Sequence, residues 1–556
     1  MKKYFIKLLF PIITLSFLIR GILFVNNHGG IEYDSGWFMS VAQNLALYNE
    51  YSTNSNTTNS NNTISVDIWG TNYVVQDQNG HVYFPPNVSV GPAFLFPAAI
   101  ILKIFGIGFW QYRVIPLLSY FFLILILLFI CYQFGGLIAV GIFSVWFWGL
   151  IKLYTPLFYE AQGEPTAILY FFLAGYIFFY GKKNKLTIFS SGILAALSFL
   201  TKSLYLLLIL SFFVILGLEV LKNFKVKDKL KTKSVNFAVF TLGFILPNFI
   251  FNTYRYYSLV TKFGEEAYKK LNEGMLQLYY TTGSGLGKLF DFNSVRAGFK
   301  INIWNIIGIE FPIIYLLLLL VIITFILIKK EFFDFDLKKL LAISVCIHLT
   351  WYYFICSDPF SRYAWPSVII SIIFISSYTA NFLKKHLLPT IVVSILFIYF
   401  NFNSNAYDWK FKLEQEDVTN WIQDRYQGPQ FKEIYWVPGY RTPTNNIYPL
   451  ADQLSIAAFM RDFIKENDQV YYIYRFFSPE ISLLVNKVFY PIERFVINGK
   501  IKPKGGKAYL ISGVNTHGYK IYQAVPPYAD KALVNSICKN INFQNDSYLL
   551  CEIKDL

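Results

Sequence analysis

The sequence predicts a polytopic α-helical membrane protein of 11–13 transmembrane helices, followed by a C-terminal extracytoplasmic α/β domain. Three observations carry that prediction. Of 556 residues, 55% are hydrophobic and only 15% are charged, against about 25% charged in an average soluble domain. The apolar residues gather in runs close to the roughly 20 residues that a bilayer crossing needs. From about residue 403 the chain turns polar, and strand-like segments alternate with helix-like ones.

Residues 1–402 therefore read as the membrane module and 403–556 as the tail domain. The first span covers 5–25, and Lys2, Lys3 and Lys7 hold its start in the cytoplasm. No small-residue cleavage site follows it, so it is read as an uncleaved helix. Residues 26–90 form a long extracytoplasmic loop with an Asn/Ser/Thr tract at 52–62. Further apolar runs follow at 93–105, 114–132, 137–151, 165–180, 186–200, 204–221, 235–251, 309–328, 340–356, 363–382 and 387–402. Lys182-Lys183-Asn184-Lys185 and the six lysines between 222 and 233 mark cytoplasmic turns, so the intervening tip Thr201-Lys202-Ser203 faces outside. These are twelve runs, whereas a cytoplasmic start and an outside end require an odd number of crossings. The conflict lies between 93 and 151, where no loop carries a decisive charge cluster.

The tail shows strand-like runs at 470–474, 508–511 and 548–553 and helix-like runs at 417–425, 456–465 and 529–539. About 150 residues suffice for a core of their own. Gly505-Gly506 is a turn, and no phosphate-binding glycine motif is present.

The net charge of +15, from 49 Lys and Arg against 34 Asp and Glu, would point to nucleic acid in a soluble protein. Here the basic residues sit in short loops between apolar runs, so topology explains them and no nucleic-acid partner is expected. Of five cysteines, Cys131, Cys346 and Cys356 lie in predicted spans. Only Cys538 and Cys551 are placed to pair in an oxidising compartment.

Candidate chemistry starts at Ile31-Glu32-Tyr33-Asp34, where the first span reaches water. Trp37, Phe38, Val41 and Leu45 follow at helical spacing and predict a helix lying along the bilayer surface. Topology adds Glu160, Glu164, Lys202 and Arg362 on the same face. Carboxylates beside a cation suit a phosphate-bearing substrate and a hydroxyl that must lose a proton. One acid serves as base, others are able to hold a divalent metal, and Lys or Arg neutralises the departing phosphate. Singly, each of these charges reads as an interfacial snorkelling group. His28 and His81 share the first loop and read as solvated side chains, with His28 a lesser candidate ligand.

The stretch Asp34-Ser-Gly-Trp-Phe-Met-Ser-Val-Ala-Gln-Asn-Leu45 resembles the first-loop signature of GT-C membrane glycosyltransferases. Pro85-Pro86, Gly91-Pro92, Lys103-Ile-Phe-Gly106 and the later Arg113 resemble the family's next motif. Glu160-Ala-Gln-Gly-Glu164-Pro165, Phe199-Leu-Thr-Lys202 and Ser361-Arg362-Tyr363-Ala-Trp-Pro366 are similar to its remaining landmarks, in the family's order. The branch is similar to the protein mannosyltransferase and aminoarabinose transferase group, over roughly residues 1–400.

This resemblance implies transfer of a sugar from a polyprenyl-phosphate donor at the extracytoplasmic face of the plasma or inner membrane. The acceptor is a protein, a lipid or a glycan, with membrane lipid as the surrounding partner. It implies Asp34 as the base and Glu164 as a second acid. Lys202, Arg113, Arg362 and Tyr363 are implied around the donor phosphate, Glu32 and Glu164 as ligands of a divalent metal, and inversion at the anomeric carbon. Many relatives carry Asp-Glu where this chain has Asp34-Ser35, which weakens the case for the metal. A transporter or lipid flippase is the competing class; it predicts inverted repeats and mid-membrane charges, and neither is evident. A polymerase or ligase using a diphosphate-linked donor is a third reading.

Overall fold

The computed structural model describes residues 10–22, 31–54, 74–182, 184–281, 335–355, 361–383, 450–472, 479–491, 506–513 and 537–554, apart from positions 20, 32, 87–89, 160 and 546–547. The expected spans 309–328 and 387–402, the helix-like run 417–425, Glu160 and His28 lie outside the described residues.

The helices in chain order are α1 (Phe10–Ile19), α2 (Tyr33–Tyr48), α3 (Pro92–Phe105), α4 (Val114–Tyr159), α5 (Glu164–Tyr180), α6 (Lys185–Thr201), α7 (Leu206–Lys222), α8 (Lys227–Phe263), α9 (Glu265–Thr281), α10 (Leu337–Phe354) and α11 (Ser361–Leu383). Between α2 and α3 a two-residue ribbon pairs β1 (Val75–Gln76) with β2 (Val82–Tyr83). Among the described residues, four helical stretches are long and apolar enough to cross a membrane: Gln111–Phe147, Ser203–Lys222, Lys227–Phe263 and Trp365–Leu383. α6 is started by Asn184, whose side chain accepts from the Thr187 N–H, and α10 by Asp336, which accepts from Lys339 N–H.

α4 bears on the parity conflict. Its 46 residues would be roughly 69 Å long if straight, about twice the hydrocarbon thickness. The chain bends at Gly136, where φ is 73°, a left-handed value that glycine adopts at no Cβ cost. Beside the bend, Lys338 Nζ lies 5.0 Å above the Phe134 ring and the Asn381 amide donates to the Phe134 carbonyl. Both ends of α4 lie instead at the tail end of the bundle. Tyr112, just before it, donates its hydroxyl to the Leu483 carbonyl of the tail, and Ala161, just after it, bonds Ser35 in α2. α4 is thus a bent pair long enough for two crossings. α3, at 14 residues and about 21 Å, is shorter than the roughly 30 Å hydrocarbon core and begins and ends on the tail side.

α8 departs from expectation in another way. The span expected to end at 251 continues as helix to Phe263, so its last three turns project beyond the bilayer beside the first loop.

In the tail, a five-stranded sheet has the order β4-β3-β5-β7-β6, formed by β3 (Gln469–Tyr472), β4 (Phe489–Pro491), β5 (Ala508–Gly513), β6 (Cys538–Gln544) and β7 (Tyr548–Ile553). β3 is parallel to β4 and β5, and β7 is antiparallel to β5 and β6. α12 (Leu450–Phe463) covers one face, with Phe459 5.0 Å from Phe543 and Phe463 5.5 Å from Tyr509. A short α13 (Pro479–Val485) joins β3 to β4. The helix expected over 529–539 is corrected at its end: Cys538 and Lys539 belong to β6, where Cys538 and Cys551 form a disulfide across β6 and β7. A single apolar cluster runs from Phe10 in α1 through Trp37 to Leu550 in β7.

Candidate active site

α2 is not the surface helix that its apolar spacing suggests. Residues 35–37 and 39–46 are all buried, Ser40, Gln43 and Asn44 included. Its polar face bonds to protein, although Gln43 Oε1 and Asn44 Oδ1 have no hydrogen-bond partner among the described residues. Ser40 Oγ lies 2.6 Å from Thr53 Oγ1, the Asn44 amide donates to Asn54 Oδ1 at 3.0 Å, and the Gln43 amide donates to Asn486 Oδ1 of the tail at 2.8 Å. On the apolar face Trp37 packs 5.0 Å from Phe84. A helix whose polar side has protein partners is built into a core, not laid on a membrane.

Asp34 sits in the first turn of this helix; its side chain, that of Arg362, and all of Glu32 lie outside the described residues. Two clamps hold the backbone around Asp34. The buried Gln453 side chain of α12 accepts from Ile31 N–H at 2.7 Å and donates to the Ile31 carbonyl at 2.9 Å. One residue past Asp34, Ser35 Oγ accepts from Ala161 N–H at 3.1 Å, which ties α2 to the second acidic loop.

That loop meets two other motifs at one junction. Gly91 N–H donates to the Thr201 carbonyl at 2.8 Å. A Cβ on Gly91 would stand 1.9 Å from the Leu200 oxygen, so no other residue allows this approach. Gly163, at φ 80°, turns the chain into α5 against Val90 and Thr201. The next residue, Glu164, is 2% exposed and accepts a hydrogen bond from Lys202 Nζ through Oε1. Glu164 opens α5, where the helix dipole favours an anion. Among the described residues its Oε2 has no hydrogen-bond partner. The Tyr205 hydroxyl, one turn past Lys202, donates to the Glu164 carbonyl at 3.2 Å.

Tyr363 at the start of α11 packs in the cluster of Leu204, Leu207 and Trp351, next to the Lys202 turn. Arg113 is 3% exposed with its guanidinium 4.8 Å above the Phe109 ring. The Tyr112 bond to Leu483 sets it beside the tail. Glu164 and Lys202 are thus in contact, Tyr363 borders them, and Arg113 stands at the other end of α3.

A second charged cluster was not anticipated. Glu50, Asp77 and His81 each offer a ligand atom, all within 4.8 Å of one another. His81, expected to be solvated, is 6% exposed and meets Glu50 Oε2 at 2.9 Å. The donor set of two carboxylates and an imidazole suits a cation such as zinc, but Lys262 at the projecting end of α8 already occupies it. Its Nζ lies 2.5 Å from Glu50, 2.7 Å from Asp77 and 2.7 Å from the Tyr83 hydroxyl. Burial raises the Glu50 pKa, yet hydrogen bonds from Lys262 and His81 outweigh it and hold the carboxyl below its usual range. Burial likewise pushes the Tyr83 phenol up. A metal would have to displace Lys262 here, so this cluster does not fit one as it stands. Of the acids expected to hold a metal, Glu164 has its Oε1 on Lys202, and Glu32 lies outside the described residues.

No signal in the sequence links Ile31 to Gln453 or Ser35 to Ala161, because such pairs depend on docking between segments 126 and 422 residues apart.

No family model and no curated protein matches the chain. Among solved structures, ArnT from Cupriavidus metallidurans bound to undecaprenyl phosphate is 12% identical, with a TM-score of 0.56 over 98% of this chain and 97% of that one. The apo state of the same protein is 10% identical, with a TM-score of 0.52 over 97% of both chains. The Archaeoglobus fulgidus oligosaccharyltransferase tethered to an acceptor peptide is 14% identical, with a TM-score of 0.43 over 94% of this chain and 72% of that one. In fold, the chain is similar to ArnT over 98% of its length.

Proposed function

We propose that the protein is an integral membrane glycosyltransferase that moves a sugar from a polyprenyl-phosphate donor to an acceptor at the extracytoplasmic face. The observation that carries this reading is the junction of three motifs. The first turn of α2, the Gly91 turn and the Lys202 tip converge on one buried ion pair, Glu164 and Lys202. The fold shared with a protein captured on undecaprenyl phosphate supports a donor of that chemistry. The Cys538–Cys551 disulfide supports an oxidising compartment for the tail.

Asp34 takes the proton from the acceptor hydroxyl or amine as its oxygen or nitrogen attacks the anomeric carbon. The bond from that carbon to the lipid phosphate breaks with inversion, and the electrons leave on the phosphate. Lys202 faces the growing charge and Glu164 fixes the ammonium in place, with Arg362 and Tyr363 around the same phosphate; Arg113, at the other end of α3, lies apart from it. Glu164 thereby acts as a partner of Lys202 rather than as a ligand of metal. No step needs the Glu50–Asp77–His81 cluster.

The test is transfer from labelled polyprenyl-phosphate sugars by the purified chain. Asp34→Asn should lower turnover by about 10²–10⁴-fold, and NMR of the product should show the inverted anomer. Unchanged transfer by the variant removes Asp34 as base. Movement of the lipid across vesicles without transfer overturns the enzyme reading.

A further inference from the structure

We infer that Arg255 builds a second anion-binding subsite, which takes a phosphate or carboxylate group of the acceptor. Phe251, Arg255 and Leu259 form one buried stripe of α8 at i, i+4 and i+8, and the middle member is charged where a packed interior calls for an apolar residue. Arg255 is 3% exposed, and its Nη2 has no hydrogen-bond partner. Among the described residues no carboxylate pairs with it. The neighbouring acids are already matched, since Glu50 and Asp77 hold Lys262. A buried guanidinium without a counter-charge is strongly unfavourable, unless an anion from outside completes it.

The structure leaves a narrow opening at Arg255. It lines a pocket with Tyr51, Tyr83, Phe84, Tyr254 and Ser258 whose free space is about 10 Å³, room for one water-sized group such as a single oxygen of an oxyanion. Aromatic walls strengthen a charged hydrogen bond inside. The guanidinium favours a charged oxygen over a neutral one there. The pocket also shares walls with the proposed active site. Phe84 packs on Trp37, one turn from Asp34, and the Tyr51 hydroxyl reaches the Val90 carbonyl beside the Gly91–Thr201 bond. An anionic group anchored at Arg255 would leave the rest of its molecule pointing toward Asp34. That the ligand is the acceptor rests on the glycosyltransferase reading; the anion site does not.

The experiment compares full-length wild type, Arg255→Met and Arg255→Lys, with inorganic phosphate and dodecyl phosphate as probes. Binding is read by calorimetry and unfolding by melting temperature. Wild type should bind one more phosphate group per chain than Arg255→Met, with Arg255→Lys retaining it at roughly tenfold weaker affinity. Without phosphate, Arg255→Met should melt at or above the wild-type temperature, because it removes an unpaired buried charge. Equal stoichiometry for wild type and Arg255→Met overturns the site. So does a lower melting temperature for phosphate-free Arg255→Met, which would mean that the arginine has a structural partner. Preference for dodecyl phosphate supports a lipid headgroup as the source, and preference for inorganic phosphate supports a soluble anion. The extra site is counted against Arg255 alone, so it stands even if Asp34→Asn leaves transfer unchanged.

Discussion

Glu164 and Lys202 form a buried pair in which each partner depends on the other. Lys202→Met would strand the Glu164 carboxylate at 2% exposure, and loss of one member of a buried pair costs about 3–5 kcal/mol. Lys202→Met should therefore unfold at markedly lower denaturant than wild type. Adding Glu164→Gln should return much of the difference, because the uncompensated charge is then gone. A double variant no more stable than Lys202→Met would show that the pair is not coupled. Glu50 makes a pH-dependent contribution. Its folded pKa is held below the ordinary 4.5, so its stabilising bonds are complete above that value and vanish as pH falls through the folded pKa. Melting temperature should drop below about pH 4.5, and Glu50→Gln should flatten that part of the profile. Both acids were visible in the sequence as residues; their partners were not. Glu164 could be listed beside Lys202 because basic turns fixed the side of the membrane. Glu50 carried no pattern, and Lys262 lay past the end of the run expected over 235–251.

At the level of elements, α2 is held from outside itself. Gln453→Ala would orphan the buried N–H and C=O of Ile31, at about 1–3 kcal/mol for each group. It would also release the backbone three residues before Asp34. A fall in kcat larger than any rise in KM is expected, since a misplaced base affects the transition state more than donor binding. An unchanged kcat with lowered stability would reduce Gln453 to a structural role. Gly91→Ala should be more severe, because the added methyl meets the Leu200 carbonyl and forces α3 away from α6. The surface-helix expectation for α2 failed for a physical reason. Periodicity reports which side of a helix is apolar, but not whether its polar side meets water or amides from the tail. The extent of α8 was hidden similarly, as helix can continue past the apolar residues that cross the bilayer.

For the molecule as a whole, the broad architecture was readable because bilayer thickness dictates run length and lysines dictate side. The number of crossings was not, since a run of 13 apolar residues does not declare whether it spans or lies flat. The contacts at both ends of α3 bear on it. In the tail, β5 and β7 were evident from their apolar runs, whereas β6 is exposed and polar through much of its length, and its first two residues fell at the end of a helix-like run. The disulfide joining β6 to β7 closes a loop with a sequence separation of 13. Replacing both cysteines by serine should remove about 3 kcal/mol from the tail by the chain-entropy account, read as earlier loss of the sheet on heating.

The Gln453–Ile31 clamp also sets a clock. Its two ends are 422 residues apart, and at about 5–20 residues per second ribosomes need roughly 20–85 s to make the interval. The first loop must wait that long in the membrane before the tail arrives to fasten it. A nascent chain therefore carries Asp34 at the bilayer surface for most of its synthesis without a finished site around it. On the proposed reading, activity waits for the last quarter of the polypeptide to fold, and the order of assembly keeps unfinished chains from premature transfer.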